Sequence, residues 1–346
     1  MSHLLTEIPP LDKEIGQKVR AYIDTLTKPL GSLGRLEGMA IQLAEMTSDE
    51  FPVVTPPGVI VFAADHGVVE EGVSAYPQEV TVQMVMNFLN RGAAINVFSK
   101  QIGAAFEVVD VGVAQDICAD GVVNQKVRYG TANFYKQDAM TREEADKAIA
   151  VGYGRAEKMI QQGSKCLILG EMGIGNTTAS SAVLAVLSGQ SIDKLVGRGT
   201  GIDSGEIPHK QEVIVRAIEA RKPDRNDPID VLAKVGGLEM AAITGAMLAG
   251  ASHRIPILVD GFICTVAALL AKEICSHASE YMIVGHRSVE PGHDIALQLL
   301  GKQPILDLGM RLGEGSGAAV AFPILQSATL MLKEMATFTS AGISKE

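Results

Sequence analysis

Short, almost continuously apolar runs alternate along this chain with longer stretches of helical periodicity, and that alternation limits the possible folds most strongly. Runs of this kind are typical of strands buried on both faces, because a solvated face would place polar residues at every second position. Strands that alternate with helices are joined by right-handed crossovers, which give a parallel sheet covered on both sides. The sequence predicts strands over residues 58–65, 105–111, 165–170, 255–260, 281–285 and 304–309.

Helices are predicted between these strands. One is expected to begin at Thr141, because Glu144 three residues later completes a capping box. The predicted strands are too few for an eight-stranded barrel. We therefore expect an α/β fold, a doubly wound, mainly parallel six-stranded sheet of Rossmann-like type. The predicted helices cover residues 78–98, 141–162, 177–187, 210–221, 238–251 and 262–274.

Both ends of the chain show helical patterns without strands. Residues 11–26 and 34–46 read as amphipathic helices, and residues 318–337 as a long final helix. We expect these ends to meet in a small helical subdomain, since neither end has a sheet to cover. The expected division is residues 1–50 for the first part of this subdomain, 51–317 for a large catalytic α/β domain, and 318–346 for the completing helix.

Composition excludes several classes of protein. The chain has 346 residues with 30 Lys+Arg against 40 Asp+Glu, a net charge of −10, so no general attraction for nucleic acid is expected. The four cysteines are widely spaced, and no signal peptide is seen at the start. Two uncharged stretches, 172–192 and 315–332, are rich in small and polar residues and read as buried loops and helices. We expect a cytoplasmic protein without a membrane segment.

Ligands of doubly wound sheets bind beyond the carboxyl ends of the strands. There, residues 170–180 form a glycine-rich turn before a helix, whose backbone N–H groups favour an anion or polar ligand. No lysine follows the glycines, which excludes a Walker A loop. Gly173 and Gly175 half-match the dinucleotide fingerprint, with Asp193 beyond, and this leaves an NAD(P)-dependent oxidoreductase open. A tight turn needing positive φ is the plainer interpretation.

Two carboxylates follow predicted strands. Glu314 lies between glycines on a loop that leads into an apolar helix, where burial raises a carboxyl pKa toward that of a general base. Glu171 lies at another strand exit, so the two carboxylates could face one crevice. The segment 286–293 contains His286, Glu290 and His293, but this spacing matches no common metal motif, so no metal is expected.

Several motifs stand in order along the chain: TKPLGSLGRLE at 27–37, ADHGV at 64–68, GEMGIGNTT at 170–178, GRGTG at 197–201, VDGF at 259–262, SVEPGH at 288–293 and LDLGMRLGEGSG at 306–317. Together they closely resemble the nicotinate-nucleotide–dimethylbenzimidazole phosphoribosyltransferase family over about residues 20–335. The resemblance implies transfer of the phosphoribosyl group of nicotinate mononucleotide to 5,6-dimethylbenzimidazole with inversion. The products are α-ribazole 5′-phosphate and nicotinate, in cobalamin nucleotide-loop assembly. It also implies a homodimer without a cofactor.

The same resemblance implies roles for individual residues. Glu314 would be the general base, and Glu171 would lie in the same catalytic site. The expected substrate contacts are Gly173, Gly175, Asn176, Thr177, Lys210, Asp260, Ser288 and Arg311, with Gln83, Met172 and Leu312 around the benzimidazole. Lys210, Ser288 and Arg311 would bind the phosphate.

Elementary chemistry fits this reaction. The pyridinium of nicotinate mononucleotide leaves as a neutral ring, so no general acid is needed. The attacking benzimidazole becomes acidic at its other N–H, and one carboxylate base within hydrogen-bond reach suffices. Carboxylates also stabilise positive charge on an oxocarbenium-like ribose. A non-catalytic nucleotide-binding protein is a further alternative, although a pure binder has little need for two carboxylates.

Overall fold

The computed structural model describes residues 7–199 and 201–344, and its centre is a six-stranded, entirely parallel sheet. The strand order is β3-β2-β1-β4-β5-β6, which is the order of doubly wound dinucleotide-binding folds. The predicted fold class is confirmed. The strands are β1 (Pro57–Ala64), β2 (Ala105–Gly112), β3 (Val122–Asn124), β4 (Cys166–Met172), β5 (Ile257–Val259) and β6 (Met282–Val284).

One predicted strand is wrong and one strand escaped prediction. Residues 304–309 form only an isolated bridge, between His286 and Leu306, because their backbone hydrogen bonds to residues 284–287 involve only Ile305 and Leu306 and Gly309 then turns with φ +66°. The sixth strand is instead β3, which pairs with β2 through three residues. Such a short pairing leaves no recognisable apolar run in the sequence.

The helices cover both faces of the sheet. They are α1 (Lys13–Ile23), α2 (Arg35–Thr47), α3 (Glu79–Leu89), α4 (Ala94–Gln101), α5 (Arg142–Gln161), α6 (Asn176–Ser188), α7 (Ile207–Arg221), α8 (Pro228–Val235), α9 (Leu238–Ser252), α10 (Phe262–Ile274), α11 (Gly292–Leu300), α12 (Ser316–Glu334) and α13 (Phe338–Ala341). The predicted capping box at Thr141 is present, with reciprocal hydrogen bonds to Glu144 of 2.8 and 3.2 Å.

One helix prediction needs correction. The single helix expected over residues 78–98 is two helices, α3 and α4, because Arg91 adopts a left-handed φ of +60° and ends the first of them. Helix α11 begins at Gly292, directly after Pro291, and residues 286–291 before it are not helical. Proline is tolerated at a helix start, where its missing N–H has no intrahelical partner.

Helix α9 forms the centre of one helical layer. Its residues from Leu238 to Ala251 are all buried and most are small, and it packs against α5, α10 and the strands β1 and β4. Gly152 of α5 and Gly245 of α9 lie so close to the facing helix that an added Cβ would overlap a backbone carbonyl. This close contact explains why the segment reads as apolar on every side rather than amphipathic.

The two ends of the chain meet, as their helices α1 and α12 both pack against α2. An antiparallel bridge joins Leu26 to Thr337, and the amide of Phe338 donates to Thr25 O over 2.9 Å. Helix α12 also contacts α4, β4 and β5, so it packs against the sheet as well as against the N-terminal helices. The division at residues 50 and 317 stays a prediction. No helix among the described residues is long and apolar enough to cross a bilayer.

Candidate active site

The turn that carries Glu314 has an unusual backbone. Gly313, Glu314 and Gly315 all lie in the left-handed region, with φ of +88°, +64° and +87°. For a non-glycine residue this conformation costs about 1–2 kcal/mol, and such strain is concentrated at functional sites. Across from the turn, a Cβ on Gly170 of β4 would overlap the Glu314 carbonyl oxygen. The strand and the turn are therefore in direct backbone contact.

The Glu314 side chain is only 5% exposed. Its Oε2 accepts a hydrogen bond from the amide of Ile95 over 3.4 Å, in the first turn of α4. Burial raises the pKa of Glu314, the Ile95 amide opposes the rise, and the charge of Asp260 adds to it. A carboxylate with a raised pKa near a helix N-terminus is suited to accept a proton.

Glu171 lies in β4 beside the Glu314 turn. Its Oε1 accepts the backbone amide of Glu314 over 3.4 Å, and its Oε2 accepts the side-chain amide of Asn176. Burial raises the pKa of Glu171 well above its ordinary value, and the charges of Asp260 and Glu239 raise it further. This carboxyl group therefore retains its proton to a higher pH than an exposed glutamate does.

Asp260 follows β5 and holds the beginning of α12. Its carboxylate accepts the amides of Gly315 and Ala318 over 3.1 and 2.9 Å, the bonds that a helix cap makes. His286 Nε2 lies 3.4 Å from the same carboxylate. Asp260 thus fixes the loop on which Glu314 stands, from a strand exit far away in the sequence.

The opposite end of the site carries positive charge. Lys210 of α7 is buried, its Nζ donates to Thr177 Oγ1 over 3.0 Å, and burial lowers its pKa to about 8 against the charge of Glu290. Arg311 donates to the carbonyl of Gly199 over 3.1 Å. Burial raises the pKa of Glu290, while the charges of Lys210 and Arg311 oppose that rise. Two cations therefore share a single neighbouring carboxylate, which leaves positive charge for an anionic ligand.

One cavity joins the buried carboxylates to these cations. The predicted residues Glu171, Asn176, Thr177, Asp260, Ser288, Arg311 and Leu312 all line it. The remaining lining residues are Gly199, Gly261, Phe262, Ile263, Cys264, His286, Glu290 and Gly313. The first turn of α10, from Phe262 to Cys264, was not predicted as part of the site. Its position directly after Asp260 is the signal that could have indicated it.

Known proteins are similar to this chain over nearly its whole length. A family model described as phosphoribosyltransferase matches residues 8–343. The nicotinate-nucleotide–dimethylbenzimidazole phosphoribosyltransferase of Halalkalibacterium halodurans is 51% identical over 344 residues, which cover 99% of this chain and 96% of that protein. This chain belongs to the nicotinate-nucleotide–dimethylbenzimidazole phosphoribosyltransferase family. The relative of the same name in Geotalea uraniireducens is 49% identical, over 100% of this chain and 98% of that protein.

A solved structure agrees with this family membership. The crystal structure of the phosphoribosyltransferase of this family from Thermus thermophilus superposes with a TM-score of 0.92 at 44% identity. The match covers 97% of this chain and 100% of that one. The chain is therefore a phosphoribosyltransferase, which removes the oxidoreductase and the non-catalytic binding protein as alternatives.

Not all predicted residues of this phosphoribosyltransferase line the cavity. Glu314 adjoins the cavity because it follows the lining residue Gly313 in the chain. Lys210 adjoins it through its hydrogen bond to the lining residue Thr177. Gln83 is exposed on α3 and Met172 is half-buried at the end of β4, both outside the lining residues. Their contacts with a substrate stay predictions.

Gly173 and Gly175 also lie outside the lining of the cavity. They make the turn between β4 and α6, and Gly175 has a left-handed φ of +95°. A Cβ on Gly173 would overlap the carbonyl oxygen of Ala64, and one on Gly175 would lie 2.7 Å from Val69 Cγ2. Both glycines are needed for close packing at the end of β1, and their contact with a phosphate stays a prediction.

The histidines of residues 286–293 are bonded to protein groups. His293 Nδ1 accepts the amide of Ser288 over 2.7 Å, and Nε2 lies 3.0 Å from Thr265 Oγ1. Among residues 7–199 and 201–344, no group of three or more His, Cys, Asp or Glu side chains is placed to bind a metal. The absence of a metal from the reaction stays a prediction based on the sequence.

Proposed function

We propose that the enzyme transfers the 5-phosphoribosyl group of nicotinate mononucleotide to 5,6-dimethylbenzimidazole with inversion at C1′. The products are α-ribazole 5′-phosphate and nicotinate, and the reaction belongs to the assembly of the cobalamin nucleotide loop. The observation that carries the proposal is a cavity lined by Glu171 and Arg311, which the buried carboxyl of Glu314 adjoins through Gly313 and the buried ammonium of Lys210 adjoins through Thr177.

Glu314 is the general base. A benzimidazole nitrogen attacks C1′ with its lone pair, and the bond from C1′ to the pyridinium breaks with both electrons going to the ring of nicotinate. The other N–H of the attacking ring loses its proton to the Glu314 carboxylate. No acid is required, because the leaving nitrogen is neutral once the bond has broken. Attack on the face opposite the leaving group converts the β anomer into the α anomer.

Glu171 and Asp260 add negative potential beside the ribose. Positive charge develops at C1′ as the pyridinium departs, and fixed carboxylates in a water-poor site stabilise it. Glu171 also accepts the amide of Glu314, so the same group fixes the backbone of the base. We propose that Glu171 contributes to catalysis through its negative electrostatic potential and by positioning the Glu314 backbone, while Glu314 accepts the proton.

The phosphate binds at the cationic end. Lys210 provides a buried positive charge, Arg311 a guanidinium with further donors, and Ser288 a hydroxyl on the cavity wall. Asn176 and Thr177 stand at the start of α6, where the positive end of the helix dipole favours an anion. Apolar residues such as Leu312 and Phe262 are suited to the flat rings. We propose that Gln83 and Met172 also contact the benzimidazole, and that Gly173 and Gly175 contact the substrate from the turn before α6.

We propose further that the enzyme is a cytoplasmic homodimer that needs neither a metal nor another cofactor. Exposed apolar side chains such as Leu30, Val97 and Leu308 supply surface that a second copy can cover. A molar mass from light scattering near that of a single chain would contradict the dimer.

Incubation of the purified protein with nicotinate mononucleotide and 5,6-dimethylbenzimidazole tests the reaction. Chromatography and mass spectrometry should find equal amounts of nicotinate and a ribosylated benzimidazole, and proton NMR should assign the α configuration at C1′. A panel of benzimidazoles and purines then ranks the accepted bases. A β product would contradict inversion, and nicotinate without a ribosylated base would contradict the transfer.

A further inference from the structure

A buried ion pair lies behind the carboxylates and has no place in the reaction so far. His66 follows β1, Glu239 lies in the first turn of α9, and neither is exposed to solvent. Their Nε2 and Oε1 atoms are 2.9 Å apart. Burial lowers the pKa of His66, but the charge and hydrogen bond of Glu239 outweigh it and the net shift is upward. Buried ion pairs contribute little to stability on balance, so a positional role is a reasonable explanation.

The His66 ring occupies a slot that glycines make possible. A Cβ on Gly237 would lie 2.5 Å from His66 Cε1, one on Gly175 would lie 3.2 Å from His66 Cβ, and one on Gly173 would lie 3.4 Å from His66 Cδ2. Gly173 and Gly175 belong to the turn between β4 and α6, whereas Gly237 precedes α9. The imidazole is therefore packed between that turn and the helix that provides Glu239.

The turn leads directly to the catalytic carboxylate. Residue 176, immediately after Gly175, donates its side-chain amide to Glu171 Oε2. Glu171 in turn accepts the amide of Glu314 through its other oxygen. A shift of the turn would therefore move Asn176, then the Glu171 carboxylate, and then the backbone of the base.

We propose that His66, clamped by Glu239, is a positioning residue that fixes the 173–175 turn and thereby sets the Glu171 carboxylate against the Glu314 loop. The proposal rests on the proposed function, because it assigns His66 to the carboxylate end of that reaction. His66 touches neither substrate in this account. We expect its effect mainly on the rate of the chemical step, since Lys210, Ser288 and Arg311 of the phosphate end stand on other elements.

A second buried histidine provides the matched control. His293 Nδ1 accepts the Ser288 amide, so its Nε2 carries the proton and donates to Thr265 Oγ1, which itself donates to Gly261 O over 2.8 Å. Burial lowers the pKa of His293 to about 4, in agreement with a neutral ring. His293 thus holds Ser288, at the phosphate end. Loss of either ring leaves a similar cavity, next to the 173–175 turn in one variant and next to Ser288 in the other.

The test compares kcat and KM for nicotinate mononucleotide in the full-length protein carrying His66→Ala, His66→Gln, Glu239→Gln or His293→Ala. We expect kcat to fall tenfold or more in His66→Ala while KM changes less than about threefold, since small misplacements of catalytic groups cost up to about 100-fold. His66→Gln keeps a donor toward Glu239 and should recover a large part of kcat. His293→Ala should mainly raise KM.

Several results would overturn the proposal. One is a folded His66→Ala variant whose kcat is unchanged, or whose kcat and KM change in the same proportions as in His293→Ala. If His66→Ala fails to fold, an unchanged kcat in folded Glu239→Gln, which removes the charge that holds the His66 ring, overturns it as well. A crystal structure of His66→Ala should show the contact between Asn176 and Glu171 lengthened. An unchanged distance between these two side chains contradicts the proposal. A wild-type protein that forms no product refutes the proposed function instead, so the two failures are distinguishable.

Discussion

The backbone amide of Glu314 donates to the carboxylate of Glu171 across 3.4 Å. The two acidic residues are thus linked through the main chain of one and the side chain of the other. Glu171 fixes where the Glu314 turn lies, while the Glu314 carboxylate is directed to the amide of Ile95 at the start of α4. The two buried carboxyl groups therefore have different hydrogen-bond partners within one site.

Gly170→Ala should disable the site through the backbone. The new Cβ would overlap the carbonyl of Glu314, so the strained turn must shift away from β4. We expect the free energy of unfolding to fall by about 1–3 kcal/mol, as for other overpacked positions, and kcat to fall sharply. Denaturant unfolding and steady-state kinetics measure both effects.

Gly154→Ala is the matched control for that substitution. Gly154 lies within α5 with nothing within 4 Å of an added Cβ. Alanine there should leave kcat unchanged and stabilise the helix by up to about 1 kcal/mol. Wild-type kcat in Gly170→Ala would contradict the importance of this backbone contact.

The acid side of the pH profile should reflect Glu314. Because burial raises the pKa of Glu314, the carboxylate form that accepts a proton is lost as pH falls through that raised value. The acid limb of kcat/KM should therefore have an apparent pKa above the ordinary glutamate value of about 4.3. The attacking heterocycle also titrates, so the profile is measured with two bases of different pKa. A limb that moves with the base belongs to the substrate and would contradict the assignment.

The alkaline side should reflect Lys210. Burial lowers the pKa of Lys210 to about 8, so the free enzyme loses this positive charge as pH rises through about 8. We expect kcat/KM for nicotinate mononucleotide to fall there, because kcat/KM reports ionisations of the free enzyme. Lys210→Arg should remove the limb, since arginine stays charged. An unchanged alkaline limb in the variant would show that another group is responsible.

The sequence predicted those parts of the structure that rest on local patterns. Strands β1, β2 and β4 appeared as apolar runs because both their faces are buried, and the strand-exit rule found Glu171 and Asp260. Glu314 came from its glycine-flanked loop. Its left-handed φ and its contact with Ile95 were beyond reach, because they depend on elements distant in sequence.

Other features gave signals that pointed elsewhere. Gly173 and Gly175 read as a ligand loop, whereas in the structure their missing side chains accommodate the end of β1 and His66. The apolar run at 304–309 resembled a strand, but it forms only one bridge, between Leu306 and His286. Phe262 and Cys264 lie in a predicted helix and gave no signal of their own as site residues, because an apolar side chain that lines a cavity cannot be told by its type from one that fills a helix interface.

The most direct test of the central claim is kcat for Glu314→Gln, with Glu143→Gln on the exposed first turn of α5 as the control. Glutamine keeps the size of the side chain but cannot take the proton of the benzimidazole. The account predicts a loss of about 10²–10⁴-fold in kcat for Glu314→Gln, with the melting temperature and binding of nicotinate mononucleotide retained and Glu143→Gln unchanged. A Glu314→Gln enzyme with near wild-type kcat would contradict it.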